Sequence, residues 1–233
     1  NFLPNLTSGE KVTELFDIDK SAETKYLFMI TRKGYVKKTA FSEYTNVRKS
    51  GIIAINLREG DELIAVRRTN DHDTVVLATR LGMAIRFDEA DVTPQGRQAQ
   101  GVIGIKMKQD GDEVVGGTVV NAEQEVLTVS EDGFAKRNYA EAYTLQKRGG
   151  MGSRNFGKQK KAVGMLAVQD DDEIITITEG GQVIRVPVNT VSVKKSKTVQ
   201  GVRLVKLQEG DRVSSIAVTP KDDIDEEEQG TLM

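Results

Sequence analysis

A short signature centred on a glycine returns four times along this chain at a nearly constant spacing. Its copies read TRKGYVKK, TRLGMAIR, SEDGFAKR and TEGGQVIR, and their glycines are Gly34, Gly82, Gly133 and Gly181, spaced 48, 51 and 48 residues apart. A second series of glycines follows at Gly51, Gly101, Gly150 and Gly201. A repeat of about fifty residues is typical of stacked supersecondary units, such as propeller blades or solenoid coils, in which neighbouring units complete one another's core.

Each copy of the signature predicts a β-hairpin. The apolar runs at 26–30, 75–78, 126–129 and 174–177 are rich in β-branched or aromatic residues and too short for a typical helix. The glycine that follows each run tolerates the positive φ of a tight turn. The second half of a unit, for example SGIIAINLREGDEL, predicts another hairpin closed by an acidic Gly-Asp turn. We therefore expect an all-β chain of four complete units in residues 25–220.

The return strand of each hairpin has a small residue followed, two places later, by a basic one. Val36 and Lys38 are the pair in the first copy, and Ala84 and Arg86 are the pair in the second. Regular alternation puts both members on one face of the strand, so we expect a bulge or the end of the strand to separate them.

The opening and the end of the chain differ from the repeats. The segment NFLPNLTSGEKVTEL resembles the second half of a unit, so residues 1–24 are predicted to be the end of a preceding blade. The first residue is Asn1, which indicates a piece of a longer polypeptide. The stretch KDDIDEEE has six acids and one base, so residues 221–233 are expected to form an acidic, disordered tail.

Composition excludes several classes of function. The chain has 233 residues, 38% of them hydrophobic, which is enough for a globular core. It has no cysteine, a single histidine, no phosphate-binding Walker loop and no carboxylate cluster with metal-ligand spacing. No apolar run is long enough to span a bilayer. We therefore predict no catalytic residue, no metal site, no cofactor and no membrane partner for this chain.

Positive charge is sorted by position within the repeats, although the net charge is only −2. Basic residues gather in and after the hairpins, whereas acids gather in the Gly-Asp turns. Stacking the units in a common orientation would align the cations into a track, which is the electrostatic footprint of a protein that binds duplex nucleic acid. No recognition helix is apparent, so contacts should be mainly to phosphates, with bending of the duplex as the outcome. The predicted contacts are Lys37, Lys38, Arg48, Lys49, Arg86, Arg97, Lys136, Arg137, Lys147, Arg148, Arg154, Arg185, Lys194, Lys195 and Lys197.

The connector of the third unit, YTLQKRGGMGSRNF, combines three glycines with basic residues. Glycines let the backbone approach a ligand closely, and cations bind anionic ligands. A flexible glycine-rich loop is the alternative interpretation of this segment by itself.

These repeats resemble the C-terminal DNA-wrapping domain that belongs to the A subunits of DNA gyrase and of the related topoisomerase IV. The resemblance rests on KKTAFSEY, SGIIAINLREGDELIAV and QGVRLVKL and extends over nearly all of residues 1–220. The family's signature box is a glutamine followed by two arginines, two glycines, a lysine and a glycine. A box-like copy with lysine for the first arginine and methionine for the lysine lies in the third unit: Gln146, Lys147, Arg148, Gly149, Gly150, Met151 and Gly152.

The resemblance implies a β-pinwheel, a propeller-like arrangement whose basic perimeter wraps duplex DNA and orients strand passage for negative supercoiling. It also implies that the chain is a non-catalytic part of an ATP-dependent type IIA topoisomerase in the bacterial cytoplasm, near the nucleoid. The B subunit, together with the remainder of the A subunit, would be its partner in an A2B2 holoenzyme, with ATP and magnesium bound elsewhere. Topoisomerase IV, which relaxes or decatenates DNA, is the alternative parent, and a propeller that serves as a protein-interaction platform is a further alternative.

Overall fold

Each repeat folds into an antiparallel β-sheet in the computed structural model, which describes residues 12–14, 24–45, 51–157 and 160–220. Short 3-10 turns follow the hairpins at Phe41–Tyr44, Glu89–Asp91, Ala140–Ala142 and Val188–Thr190. The strands of these residues are β1 (Tyr26–Thr31), β2 (Tyr35–Ala40), β3 (Leu63–Thr69), β4 (Thr74–Thr79), β5 (Met83–Asp88), β6 (Val102–Ile103), β7 (Val114–Val120), β8 (Glu125–Ser130), β9 (Phe134–Tyr139), β10 (Ser153–Arg154), β11 (Ala162–Val168), β12 (Glu173–Thr178), β13 (Val183–Pro187), β14 (Val202–Arg203) and β15 (Val213–Thr219).

The four predicted hairpins are confirmed. They are formed by β1 and β2, β4 and β5, β8 and β9, and β12 and β13, and each pair is antiparallel. The turn glycines Gly34, Gly82, Gly133 and Gly181 all have φ between 78° and 84°. A positive φ is unfavourable for residues that have a Cβ, so the turn itself requires the glycine of the signature.

The second hairpin predicted for the first, second and fourth units is wrong. In the second and fourth units its two strands lie in different sheets, and in the first unit residues 51–58 form no strand that could pair with β3. The sheet orders are β3-β1-β2-β6, β10-β5-β4-β7, β11-β8-β9-β14 and β13-β12-β15. The long strand of each second half (β3, β7, β11 or β15) completes its own sheet, which we call blades 1 to 4 in chain order. The short strand does not: β6, β10 and β14 each join the outer edge of the preceding blade, and we call these three strands the arms.

The strands β3, β7, β11 and β15 are the inner strands, around which the blades are arranged. Strand β7 contacts β3 and β11, and β11 also contacts β15. A backbone hydrogen bond recurs at each of these steps: the N–H groups of Val114, Ala162 and Val213 donate to the carbonyl oxygens of Arg32, Arg80 and Glu131 over 2.8–2.9 Å. The apolar core lies between neighbouring blades, since one cluster joins Phe28 and Val36 of blade 1 to Leu77 and Phe87 of blade 2. The structure is therefore a four-blade, propeller-like β-pinwheel.

The expected break between Val36 and Lys38 is absent. The register of β1 and β2 is continuous through Lys38, and β2 ends only at Ala40. The face of β2 that carries Val36 and Lys38 packs against blade 2, so both residues are buried on the same face. The irregularities fall instead between the first and inner strands of each blade, for example between Ile30 and Thr31.

The ends of the chain lie largely outside the described residues. Of the predicted preceding blade, the structure describes residues 12–14 and 24, and Val12 and Thr13 line an axial cavity beside the inner strands β3 and β15. The predicted acidic tail, residues 221–233, lies outside the described part. Within the described ranges, no helix is long and apolar enough to cross a membrane, and no group of three or more acidic, histidine or cysteine side chains is placed to hold a metal ion.

Candidate nucleic-acid interface

Three connectors cross the outer edges of the blades and lead into the arms. They comprise residues 92–101, 143–152 and 191–201, which we call the rim connectors. At the start of each connector, the N–H of Gln95, Gln146 or Lys194 donates to the preceding blade, over 2.8–2.9 Å. The acceptors are the carbonyl oxygens of Lys38, Arg86 and Arg137, the basic residues four places past the turn glycine. At its end, the connector turns at a glycine and pairs as an arm with the same strand.

The glycine that turns each connector into its arm packs against the backbone of the preceding blade. A Cβ on Gly101 would lie 2.5 Å from the carbonyl oxygen of Val36, and a Cβ on Gly201 would lie 2.3 Å from that of Ala135. In the third unit this place belongs to Gly152, whose Cβ would lie 2.3 Å from the carbonyl oxygen of Ala84. The second glycine series therefore continues through Gly152 rather than Gly150.

Five of the predicted phosphate contacts are buried: Lys37, Lys38, Arg86, Lys136 and Arg137. Three of them tie each blade to the next. Lys38 Nζ donates to the carbonyl oxygen of Glu89 (3.1 Å) and pairs with the Asp71 carboxylate. In the same way, Arg86 donates to the carbonyl of Ala140, and Arg137 pairs with Asp170 over 2.7 Å.

Arg185 occupies the equivalent place in blade 4, but its side chain is exposed and pairs with Glu173 of the same blade. No further blade covers it among the described residues. The basic residue four places past each turn glycine therefore joins its blade to the next one wherever a following blade is present.

The buried lysines of blades 1 and 3 support the rim connectors from beneath. Lys37 Nζ donates to the carbonyl oxygens of Ala54 (2.7 Å) and Arg97, and burial lowers the pKa of Lys37 to about 8. Lys136 Nζ donates to Asn138 Oδ1 (2.8 Å) and to the Tyr143 hydroxyl (3.0 Å). Burial, together with the charge of Lys197, lowers the pKa of Lys136 to about 7. These amines are stabilised by neutral acceptors in the interior, so they position the connectors rather than present charge to a ligand.

Sequence reasoning missed the amide that holds the last connector. Asn138 Nδ2 donates to the carbonyl oxygens of Lys194 (2.5 Å) and Ser196 (3.1 Å), while Tyr143 donates to Asn155 Oδ1 (2.8 Å). The signal available in the sequence was that the buried lysine beneath each connector is present in alternate repeats. The place three residues past the turn glycine is lysine in blades 1 and 3, at Lys37 and Lys136, and isoleucine in blades 2 and 4.

The box-like segment is a joint between blades 1, 2 and 3. Arg148 Nε donates to the carbonyl oxygen of Asp91 (2.8 Å), and its Nη1 donates to that of Ile103 (3.1 Å). The N–H of Gly149 donates to the carbonyl oxygen of Gly104 over 2.6 Å, at a φ of 77° that favours glycine. Lys147 points outward with 89% of its side chain exposed and pairs with Asp91. The pKa of Lys147 is raised by its hydrogen bond to that carboxylate.

Among the predicted contacts, the exposed ones lie on the last two connectors and arms, apart from Arg185 on β13. Lys194 and Lys195 are exposed and, within the described residues, form no ion pair. Arg97, Arg148 and Lys197 are half-buried, and Arg97 lies 3.9 Å from Glu43. Arg48 and Lys49 lie outside the described residues. The exposed basic side chains on this part of the rim are Lys147, Arg154, Lys194, Lys195, Arg203 and Lys206.

This part of the rim is also poor in acids. From residue 182 to residue 206 the chain has six basic residues and no acidic one. Near the inner strands, by contrast, arginines are paired with acids: Arg32 pairs with Glu62 (2.9 Å) and Arg80 pairs with Glu131 (2.7 Å). The last two connectors and arms therefore form a more cationic surface than the axial end, and this surface can attract a polyanion.

Comparison with known proteins agrees with this architecture. The family model described as the DNA gyrase C-terminal domain, beta-propeller, matches residues 25–70, 73–121, 124–160 and 172–220. The chain is 38% identical over 231 residues to the DNA gyrase A subunit of Chlamydia pneumoniae, covering 97% of this chain and 28% of that protein. It is 40% identical over 215 residues to the DNA gyrase A subunit of Chlamydia trachomatis serovar D, covering 91% of this chain and 26% of that protein. The chain therefore spans about a quarter of the length of these relatives.

Solved structures give the same result at the level of the fold. The C-terminal domain of DNA gyrase A superposes with a TM-score of 0.79 at 25% identity, covering 93% of this chain and 73% of that one. The C-terminal domain of DNA topoisomerase IV superposes with a TM-score of 0.80 at 23% identity, covering 93% of this chain and 69% of that one. Because the family model matches the greater part of all four repeats, the chain belongs to the family of DNA gyrase A C-terminal domains.

Proposed function

We propose that the chain binds duplex DNA along its outer edge and bends the duplex around the blades. As part of a gyrase A subunit it would then orient strand passage for negative supercoiling. The proposal rests on the exposed lysines and arginines of the last two connectors and arms. Residues 182–206, which belong to this part of the rim, contain no acid. Phosphate neutralisation by such side chains releases counterions and favours binding.

The exposure of the basic side chains supports some of the predicted phosphate contacts more than others. The outward-facing candidates are Lys147, Arg154, Lys194 and Lys195, together with Arg203 on the last arm, β14, and Lys206 just after it. The half-buried Arg97, Arg148 and Lys197 lie on the same connectors. The buried basic residues hold the blades and connectors in place and so act through the exposed ones. The absence of a recognition helix among the described residues favours contact with phosphates over contact with base edges.

Wrapping would require the protein to offset the cost of bending DNA. A smooth bend of a site of 20 to 30 base pairs costs roughly 1–6 kcal/mol. Several phosphate contacts spread over successive blades are sufficient to supply this free energy. The curved path would follow from the arrangement of the blades, since each connector crosses the edge of the blade before it.

We place the chain in gyrase rather than in topoisomerase IV because the curated relatives with 38% and 40% identity are both gyrase A subunits. Its partners would be the B subunit, together with the rest of the A subunit, in an A2B2 enzyme of the bacterial cytoplasm. ATP and magnesium would be bound by other parts of that enzyme.

Titration of a fluorescent duplex at several salt concentrations tests the proposal. We expect at least four phosphate contacts, and hence a slope of log affinity against log salt of roughly −3.6 or steeper, at about −0.9 per contact. A competitor of unrelated sequence should displace the duplex almost equally well. Affinity that does not change with salt would contradict the proposal and favour a protein-interaction platform.

A further inference from the structure

We infer that two exposed apolar side chains on the rim, Ile103 and Met151, act as a wedge that enters the minor groove and unstacks a base step. The inference rests on the proposed binding of duplex DNA and adds a place at which the duplex is kinked. Architectural proteins that bend DNA often insert apolar side chains between base pairs, which partly unstacks the step and bends the duplex toward the major groove.

Ile103 and Met151 lie on either side of one joint. Ile103 ends the arm β6, and Met151 lies within the box-like segment, between Gly150 and Gly152. The two backbones run side by side there: Gly149 donates to the carbonyl oxygen of Gly104, and a Cβ on Gly149 would lie 3.9 Å from Ile103 Cγ2. Their exposed fractions are 37% for Ile103 and 55% for Met151. The fold therefore presents two apolar side chains to solvent at a joint that hydrogen bonds hold in place.

The fold does not require an apolar residue at the arm position of Ile103. In the next two arms the equivalent residues are Arg154 and Arg203, which pair with Met83 and Phe134 as Ile103 pairs with Tyr35. Ile53 occupies the same place in the first repeat and is 60% exposed. Because arginine fills the equivalent position in the later arms, the packing of the arm does not account for the apolar side chain of Ile103.

The surroundings of this pair are cationic and match a nucleic acid. Lys147 extends outward beside it, the Arg148 guanidinium lies 3.1 Å from the carbonyl oxygen of Ile103, and Lys106 is exposed after the arm. In the described part of the chain, the carboxylate in contact with these cations is that of Asp91, which pairs with Lys147 over 2.8 Å. Contacts between Lys147, Lys106 and the DNA phosphates would hold the minor groove against Ile103 and Met151. Met151 has a flexible, unbranched side chain that can adapt to the shape of a base step.

The test uses a duplex that carries 2-aminopurine at several A·T steps, because this base fluoresces more strongly when it is unstacked. The unchanged chain should raise the fluorescence on binding. The double variant Ile103→Thr with Met151→Gln keeps β-branching at the arm and side-chain length in the connector but removes the apolar ends. We expect this variant to lose the fluorescence rise while keeping the salt slope of the unchanged chain. Ile177→Thr is the matched control, since Ile177 is 39% exposed on β12, away from the connectors.

Each other outcome contradicts the inference in a recognisable way. Binding with the expected salt slope but without a fluorescence rise would reject the wedge and leave the proposed function intact. A rise that persists in the double variant would reject these two residues. Weaker association of the double variant with the rest of the A subunit, with unchanged base unstacking, would assign the surface to a protein contact. Failure of the unchanged chain to bind the duplex at all would reject the proposed function and the wedge together.

Discussion

Reversing the charge of Lys194 and Lys195 together is expected to weaken the binding of duplex DNA by about a hundredfold at physiological salt, since each substitution removes a phosphate contact and adds repulsion. The slope of log affinity against log salt should become less steep by roughly 1.8, or about 0.9 for each lost contact. Both side chains are exposed and form no ion pair within the described residues, so the folded structure does not depend on them.

The matched control is Arg32→Glu with Arg212→Glu, which changes the net charge by the same amount at the axial end of the blades. Arg32 pairs with Glu62, and Arg212 lies 3.6 Å from Glu179. This control should reduce affinity far less, because the outer connectors stay cationic. Equal losses for the two double variants would mean that net charge, rather than the position of the charge, determines binding.

Replacing Gly101 by alanine is expected to destabilise the chain far more than the same change at Gly111, although both residues have nearly the same φ, 75° and 76°. A Cβ on Gly101 would lie 2.5 Å from the carbonyl oxygen of Val36, whereas a Cβ on Gly111 would meet nothing within 4 Å. Backbone strain alone costs about 1–2 kcal/mol for a residue in this conformation. Gly101→Ala should add a steric clash and cost about 3–4 kcal/mol, in the range of severe single substitutions.

Urea unfolding of the two glycine variants measures this difference. Gly111→Ala isolates the strain of positive φ, and the additional loss in Gly101→Ala measures how tightly the connector is held against blade 1. Equal free energies of unfolding would show that the close approach between connector and strand contributes nothing to stability.

The parts of the fold that depend on neighbouring residues could be predicted from the sequence. An apolar run, a glycine and a return strand define each hairpin, and all of them are close together in the chain. The arms could not be predicted in this way. Val102 pairs with Val36, a residue of the preceding repeat, and nothing in the local alternation distinguishes this pairing from a hairpin with β7.

The basic residues show a second limit of sequence reasoning. Alternation already placed Lys38 on the same face as the buried Val36, but the expectation that lysine is exposed led to a predicted bulge. In the structure, the Lys38 ammonium group donates a hydrogen bond to the carbonyl oxygen of Glu89 and pairs with the carboxylate of Asp71. Both partners lie beyond the hairpin that contains Lys38. In the box-like segment, three glycines lie within four residues, and only the contact with Ala84 identifies Gly152 as the turning residue.

Topological analysis of small DNA circles tests the proposal that the blades wrap the duplex. Nicked circles are sealed by ligase in the presence of the chain, the protein is removed, and the linking number is read from gel electrophoresis. We expect the distribution to shift in one direction and to shift further as the ratio of chain to DNA increases. Sealed circles that were demonstrably bound by the chain but keep the linking number of free DNA would mean that the blades do not wrap the duplex.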